Sequence, residues 1–245
     1  NGGKKKALAS VLAGLAMVAA GTMGTPVQAG TDLGNSSVNI SPNGTYNGSN
    51  SVSQNSVVVG FQNNTTGGSG NGHIIYGANN TATQDSSLAI GNQNTSTGPA
   101  STAIGVGSQA TGRNTIAMGN VAKANKADNI AIGTYSEALT SGQDAYALAM
   151  GSYSKANAHM AVGIGAIANA TGTESTAVGA GSTASGKNSQ TLGARNTASG
   201  QNSTAIGHSN KAEGLNAVAI GESNTSKVED TITVGTSNTA SVGGG

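Results

Sequence analysis

The sequence lacks several residue types on which ordinary globular domains depend. It has no cysteine, no tryptophan and a single phenylalanine. Without cysteine the chain can form neither disulfides nor thiolate-ligated metal sites, and thiol catalysis is excluded. Aromatic side chains usually supply much of the burial energy of a core. A chain with only 2% aromatic residues must therefore bury many small side chains in a regular array or remain disordered.

Charge is also sparse and is not concentrated in one region. The formal net charge is +1, but three of the eleven basic residues are Lys4, Lys5 and Lys6 at the N-terminus. From Gly30 onward, eight Lys and Arg residues stand against ten Asp and Glu residues, and they are scattered singly. A nucleic-acid-binding protein needs a clustered basic stripe, so we expect no nucleic-acid partner.

The N-terminus has the three parts of a secretory signal peptide. The three lysines form a basic start, residues 7–20 are an apolar run of suitable length, and Val27-Gln28-Ala29 has the small-x-small form of a cleavage site. The apolar run is too short to cross a bilayer comfortably and is interrupted by Gly14. We therefore expect residues 1–29 to be a removable leader and the protein to be exported.

The dominant feature of the remaining sequence is a short phrase that recurs at a fixed interval. An apolar residue is followed by glycine, and a small residue comes five positions later. These repeat glycines are Gly60, Gly77, Gly91, Gly105, Gly119, Gly133, Gly151, Gly165, Gly179, Gly193, Gly207, Gly221 and Gly235. Ten of the twelve intervals between them are 14 residues, and the two longer ones, after Gly60 and Gly133, are 17 and 18. A fixed short period is typical of a solenoid, whose units bury their apolar faces only by stacking.

The pattern inside each repeat predicts short strands rather than a helix. The residue before the glycine is apolar, and the residue before that is usually alanine. Large and small side chains therefore lie on opposite faces of an extended segment. The repeats are also rich in glycine, β-branched residues, Asn and Ser, which are unfavourable inside helices. We predict an all-β fold, a parallel β-solenoid whose 14-residue coils contain two short strands and two turns.

Each coil is expected to enclose very little. We predict that one Ile-sized and one or two Ala-sized side chains fill it, which barely offsets the entropy of ordering the coil. The predicted coil-packing residues are Ile90, Ile104, Met118, Ile132, Met150, Ile164, Val178, Leu192 and Val234. Because the coil is so thin, either this row or the alanine row is expected to face other copies of the chain. The residues themselves do not distinguish two copies from three.

No catalytic or metal site is predicted. His73, His159 and His208 occupy different positions within the repeat, so no cluster of ligands forms, and each is expected at the surface or in a turn. The extra residues of the two long intervals are expected to leave the coil as loops at Gly67–Gly72 and near Leu139–Gly142. The sequence therefore predicts no enzyme and no cofactor.

The repeats resemble those of a known family, the YadA-like heads of trimeric autotransporter adhesins. Asn202-Ser-Thr-Ala-Ile-Gly207 and Asn216-Ala-Val-Ala-Ile-Gly221 are similar to the family core, apart from Thr204 in the first and Ala217 in the second. The resemblance covers about residues 50–242. It implies a left-handed parallel β-roll that assembles as a homotrimer.

The resemblance also implies a function. Such heads are displayed on the outer membrane of Gram-negative bacteria and adhere to host extracellular matrix or to cells. In the best-known head, many copies of the core together contribute to collagen binding. The candidate adhesive residues implied here are Asn202, Ser203, Ala205, Ile206, Gly207, Asn216, Ala219, Ile220 and Gly221. No counterpart of the family's neck, stalk or C-terminal anchor occurs, so attachment to a membrane would depend on an anchor absent from this sequence.

These observations divide the chain into four parts and leave two other functions open. We expect a leader at 1–29, an irregular segment or one imperfect coil at 30–54, head repeats at 55–242 and a Gly-rich end at 243–245. An ice-binding protein would align threonine pairs, of which Thr81/Thr83, Thr95/Thr97 and Thr171/Thr173 are examples. A purely structural extracellular fibre is the other alternative. An acyltransferase on a β-helix would need a six-residue period, which is absent.

Overall fold

The computed structural model describes residues 28–30, 38–41, 55–65, 72–141 and 145–241 of the 245-residue chain. In these ranges every regular element is a strand, and the strands form two sheets. The expected leader up to residue 27 and the Gly-rich end lie outside the described residues. The loop expected at Gly67–Gly72 also lies outside them, except for Gly72.

From β4 (Ile74–Ala78) onward, each coil contributes one longer strand to sheet A and one two-residue strand to sheet B. Within the described ranges, sheet A consists of β1 (Gln28–Gly30), β2 (Val38–Ser41), β3 (Val57–Phe61), β4 (Ile74–Ala78), β6 (Leu88–Asn92), β8 (Thr102–Val106), β10 (Ile116–Asn120), β12 (Ile130–Ile132), β14 (Leu148–Met150), β16 (Val162–Ile164), β18 (Thr176–Val178), β20 (Gln190–Ala194), β22 (Thr204–His208), β24 (Val218–Glu222) and β26 (Ile232–Thr236). Sheet B consists of β5 (Thr81–Ala82), β7 (Thr95–Ser96), β9 (Gln109–Ala110), β11 (Lys123–Ala124), β13 (Glu137–Ala138), β15 (Lys155–Ala156), β17 (Asn169–Ala170), β19 (Thr183–Ala184), β21 (Thr197–Ala198), β23 (Lys211–Ala212), β25 (Thr225–Ser226) and β27 (Thr239–Ala240).

Equivalent residues of successive coils pair in register. Gly105 of β8 pairs with Gly119 of β10, and Ala110 of β9 pairs with Ala124 of β11, both in parallel. From β2 onward, successive strands of both sheets pair in this parallel way. The predicted parallel β-solenoid with 14-residue coils is therefore confirmed.

The 18-residue interval keeps the same register because its extra residues lie outside the paired strands. β14 pairs with β12 as any other neighbour does, and Glu137 of β13 pairs with Lys155 of β15. The four additional residues must therefore lie between β13 and β14, where the loop near Leu139–Gly142 is expected. Residues 142–144 of this connection lie outside the described part of the chain.

The segment 30–54 contains one strand that continues the stack. β2 pairs in parallel with β3, with Ile40 opposite Val59, and β1 pairs with β2 in the antiparallel direction. The boundaries assigned to the leader and to the repeat region stay predictions.

The core lies between the two sheets, and its apolar part consists almost entirely of alanine, although buried Ser, Thr and Asn side chains are also numerous. Ala103 of sheet A and Ala110 of sheet B are both fully buried and belong to one continuous cluster that runs along the coils. Larger apolar side chains, Val58 and Ile75, are fully buried only near the start of the described stack. The expectation that each coil also encloses an Ile-sized side chain is wrong. Side chains alternate along a strand, so an inward alanine places the next residue, such as Ile104, outside.

A ladder of buried asparagines stabilises many of the corners that follow the repeat glycines. Asn196, Asn210 and Asn224 each lie three residues after such a glycine and are fully buried. The Nδ2 of Asn210 donates to the carbonyl oxygens of Ile206 (2.9 Å) and Gly221 (2.7 Å). Its Oδ1 accepts from the backbone N–H of Asn224 at 3.0 Å. Each amide therefore joins its own coil to the neighbouring ones.

Replacing Asn210 with alanine is expected to lower the free energy of unfolding by about 3 kcal/mol, because buried backbone groups of the next coil lose their partners. Gln201→Ala is the matched control, since Gln201 carries the same amide group and belongs to the same repeat but is exposed and has no positive φ. The control should change the free energy by no more than about 0.5 kcal/mol. Denaturant unfolding of both variants measures the difference, and equal losses would contradict a stabilising role for the buried ladder.

Candidate functional site

The two sheets present outer faces of opposite character. On sheet A, the residues one and three positions before each repeat glycine point away from the alanine core, and most are apolar, as Ile130 and Ile132 in β12 show. On sheet B the outward residue of each strand is polar. Lys123, Glu137 and Lys155 are register neighbours there, and the Nζ of Lys155 lies 3.5 Å from Oε2 of Glu137. We call the outward rows of sheet A the apolar stripe.

The predicted coil-packing residues lie in the apolar stripe, directly before the repeat glycines. These residues are Ile90, Ile104, Met118, Ile132, Met150, Ile164, Val178, Leu192 and Val234. They range from half-buried to clearly exposed, with Leu192 at 54% and Val234 at 61%. Neighbours pair in register, as Ile90 does with Ile104. The row therefore forms a ladder on the outside of the coils.

The candidate adhesive residues differ sharply in their accessibility. Those buried inside the coil are Ser203, Ala205 and Ala219. Those in the apolar stripe or in its backbone are Ile206, Gly207, Ile220 and Gly221, which are all half-buried. Asn202 and Asn216 are exposed. Within this motif, a ligand can therefore reach the asparagine amides most directly.

The exposed Asn202 and Asn216 belong to a second ladder of polar side chains, at one edge of the solenoid. The Nδ2 of Asn188 donates to Asn202 Oδ1 at 3.2 Å, that of Asn202 to Asn216 Oδ1 at 3.0 Å, and that of Asn216 to Asp230 Oδ1 at 2.8 Å. All four residues have φ between 54° and 57°, a left-handed conformation that Asn and Asp tolerate. We call these four residues the asparagine edge. It presents one polar group per coil, about 4.8 Å apart.

His73 is placed differently from the prediction. Expected at the surface or in a turn, it is fully buried, and its Nδ1 lies 2.8 Å from Oγ of Ser87. The reason is the long interval before Gly77. Counted backward from that glycine, His73 occupies the same inward position as Ser87 in the next coil. His159 and His208 are exposed, in agreement with the prediction.

Other kinds of site were sought among the described residues. No group of three or more His, Cys, Asp or Glu side chains in these ranges converges as a metal site. Nor does this part of the chain contain a helix of the length and hydropathy needed to span a membrane. The features that stand out are therefore the apolar stripe and the asparagine edge.

Comparison with family models identifies known repeats within this geometry. The model described as "YadA head domain repeat (2 copies)" matches residues 77–94, 96–122, 110–136, 170–189 and 198–222. These ranges run from β4 to β24 and include the coils that carry the candidate adhesive residues. A search of curated proteins gives no match to the chain.

Proposed function

We propose a function for this chain on the basis that its residues 77–222 are a YadA-like head domain. In this proposal the protein is the multivalent adhesive head of an exported surface protein of a Gram-negative bacterium, without catalysis. It binds host extracellular matrix or cells and is held at the outer membrane through a C-terminal anchor outside this sequence. The observation that carries the proposal is the pairing of an apolar stripe on one face with repeated polar groups elsewhere.

The apolar stripe supports assembly of the head as a homotrimer. Ile74, Tyr76 and Leu192 are 50%, 62% and 54% exposed in the single chain. Soluble proteins rarely leave a continuous apolar surface of this length open to water, and such surfaces usually mark protein interfaces. Three copies that turn their stripes toward a common axis would cover all of them. Sheet B and its polar residues would remain on the outside.

The repeated polar groups support adhesion by many weak contacts. The asparagine edge offers chemically similar groups at a regular spacing, and the trimer would carry three such edges. Linked weak contacts raise the effective concentration of each next contact, so total affinity grows with the number of engaged coils. A ligand that is itself long and repetitive, such as collagen, would engage most of them.

In-phase deletion of coils tests this mechanism. Removing residues 194–207 leaves Gly193 directly before His208, the residue that normally follows a repeat glycine, so the register is kept. We expect retention on immobilised collagen, fibronectin or laminin to fall stepwise, severalfold after two or three such deletions. Surface plasmon resonance measures retention, and light scattering measures the mass of the assembly.

An eight-residue deletion, 194–201, is the control for this series. It moves the outward-facing Thr204 and Ile206 into the inward positions of Asn196 and Ala198, so unfolding rather than stepwise loss is expected. Complete loss of binding after one in-phase deletion, with the trimer intact, would point to a single binding site and contradict the proposal.

The ice-binding alternative has weaker support. Thr81 and Thr95 pair in register on sheet B, but the next residues in this row are Gln109 and Lys123. Thr171 lies on this face, whereas Thr173 lies beside the corner residue Glu174. Aligned threonine pairs therefore do not continue over many coils. A thermal-hysteresis measurement separates the two functions, since an adhesive head should show none.

A further inference from the structure

One edge of the solenoid carries bulky apolar residues over four successive coils. The second residue after each repeat glycine has positive φ, and in the other described coils it is Gln, Asn, Gly, Arg or Ser. In four coils it is Val121, Tyr135, Tyr153 and Ile167. The rings of Tyr135 and Tyr153 stack with centroids 5.1 Å apart, and both residues are about half exposed. We call these four residues the tyrosine ridge.

The corner itself does not require this bulk. Val121 and Ile167 have φ of 54° and 60°, a conformation that β-branched residues rarely adopt. The equivalent residues Asn79 and Gly107 have φ of 56° and 67° and suit the same corner far better. Strained positions of this kind persist where another interaction compensates for them.

The opposite edge carries apolar residues at the same level. The fifth residue before each repeat glycine also has positive φ, and in most described coils it is polar or small, but it is Tyr146 and Met160 before β14 and β16. These side chains are 50% and 47% exposed. The ring of Tyr146 lies edge-on to that of His159, with centroids 6.5 Å apart. We call Tyr146, His159 and Met160 the opposite cluster.

Both edges are apolar in two successive coils, whereas the ridge residues Val121 and Tyr135 share their coils with the polar Asn114 and Asp128 at the opposite edge. Tyr146 and Tyr153 lie just before and just after β14, and Met160 and Ile167 flank β16 in the same way. At β22 the corresponding corner residues are polar, because Asn202 precedes the strand and Ser209 follows its repeat glycine. A ligand bound at one edge would not require this correspondence between opposite edges.

We infer that Tyr153 and Ile167 of the tyrosine ridge in one copy pack against the opposite cluster of the next copy. This inference rests on the proposed homotrimer. When the sheet A faces surround a common axis parallel to the rod, the strand ends of one copy lie beside the strand starts of its neighbour, and they come into contact where both edges carry bulky side chains. The contact is heterologous and closes into a ring. Rotation about that axis leaves heights unchanged, so residues that flank one strand meet at the same level, and their burial compensates for the strained corners.

Cross-linking tests this contact directly, because the chain has no cysteine of its own. Tyr146→Cys and Tyr153→Cys are combined in one chain and treated with a short bismaleimide. We expect covalent dimers and trimers on a denaturing gel. The control combines Tyr153→Cys with Asn216→Cys. Asn216 lies at the opposite edge but several coils away from Tyr153, so the control chain should remain monomeric on the gel. Equal cross-linking of both pairs would overturn the inference.

Light scattering on the same samples separates the inference from the proposed function. A wild-type monomer would overturn both. A trimer of the Tyr146→Cys, Tyr153→Cys variant that yields no cross-link would overturn the inference and leave the proposed function standing.

A second variant replaces the two ridge residues of the inferred contact without disturbing their corners. It combines Tyr153→Asn with Ile167→Asn, because asparagine tolerates positive φ. We expect the concentration at which the trimer dissociates to rise tenfold or more. Unchanged assembly with weaker retention on collagen would assign the ridge to ligand binding and overturn the inference. Unchanged assembly with unchanged retention would overturn it as well.

Discussion

Replacing Gly105 with valine is expected to break the stack at its coil. Gly105 has φ of +134°, and a Cβ built on it would lie 2.1 Å from the carbonyl oxygen of Gly119 and 2.7 Å from its carbonyl carbon. The obstacle is backbone, so no side-chain rotation relieves it. Backbone strain and overpacking together should lower the free energy of unfolding by about 4 kcal/mol or more. Thermal and denaturant unfolding followed by circular dichroism measure the loss.

Gly107→Asn is the matched control for this substitution. Gly107 also has positive φ (+67°), but the nearest atom to its added Cβ is a side-chain carbon of Val121 at 3.8 Å. Asn79 already occupies the equivalent position in another coil, with φ of 56°. The control should alter the free energy of unfolding by about 0.5 kcal/mol or less. If Gly105→Val unfolds at the same denaturant concentration as this control, close backbone approach is not what requires the repeat glycines.

The parallel solenoid could be predicted from the sequence because every coil satisfies the same local requirements. A residue without a side chain is needed where Gly105 lies against Gly119, and small residues such as Ala103 and Ala110 are needed between the sheets. Each requirement recurs every 14 residues. The period therefore reports the coil length, and the alternation of large and small residues reports the strands.

The choice of the inward face could not be predicted in the same way. Alternation shows that Ala103 and Ile104 lie on opposite faces but does not say which face is enclosed. That depends on how closely the sheets approach, a property of the whole coil. The burial of His73 was not predicted for a related reason. The extra residues after Gly60 change the distance of His73 from that glycine, but not its distance from Gly77, which is the one that places it in the coil.

The accessibility of the candidate adhesive motif was only partly predictable, because the motif contains both buried and exposed residues. Ser203 and Asn202 are adjacent in sequence, yet the first is buried and the second is exposed. Hydrogen bonding between Asn202 and Asn216 joins residues of different coils. The tyrosine ridge was harder still to detect, because Tyr135 and Tyr153 are 18 residues apart and become neighbours only when the longer interval returns to the common register.

Replacing Ile206 and Ile220 together with aspartate is expected to convert the proposed trimer into monomers. The two residues pair in register in β22 and β24, within the apolar stripe. Assembly would bring six carboxylates, two from each copy, toward one apolar axis, and burying an unpaired charge costs several kcal/mol. The association constant should therefore fall by about two orders of magnitude or more. Sedimentation or light scattering over a range of concentrations measures the change.

Thr183→Asp with Thr197→Asp provides the same charge on the opposite face. These threonines also pair in register, in β19 and β21 of sheet B, and should remain in water whether or not copies assemble. The trimer should survive this substitution. Dissociation by both pairs would show a general effect of charge, and dissociation by neither would show that the apolar stripe does not face a partner. Multivalent binding requires all three copies of the trimer. The Ile206→Asp, Ile220→Asp variant should therefore also lose more retention on collagen than a variant from which a single coil is deleted.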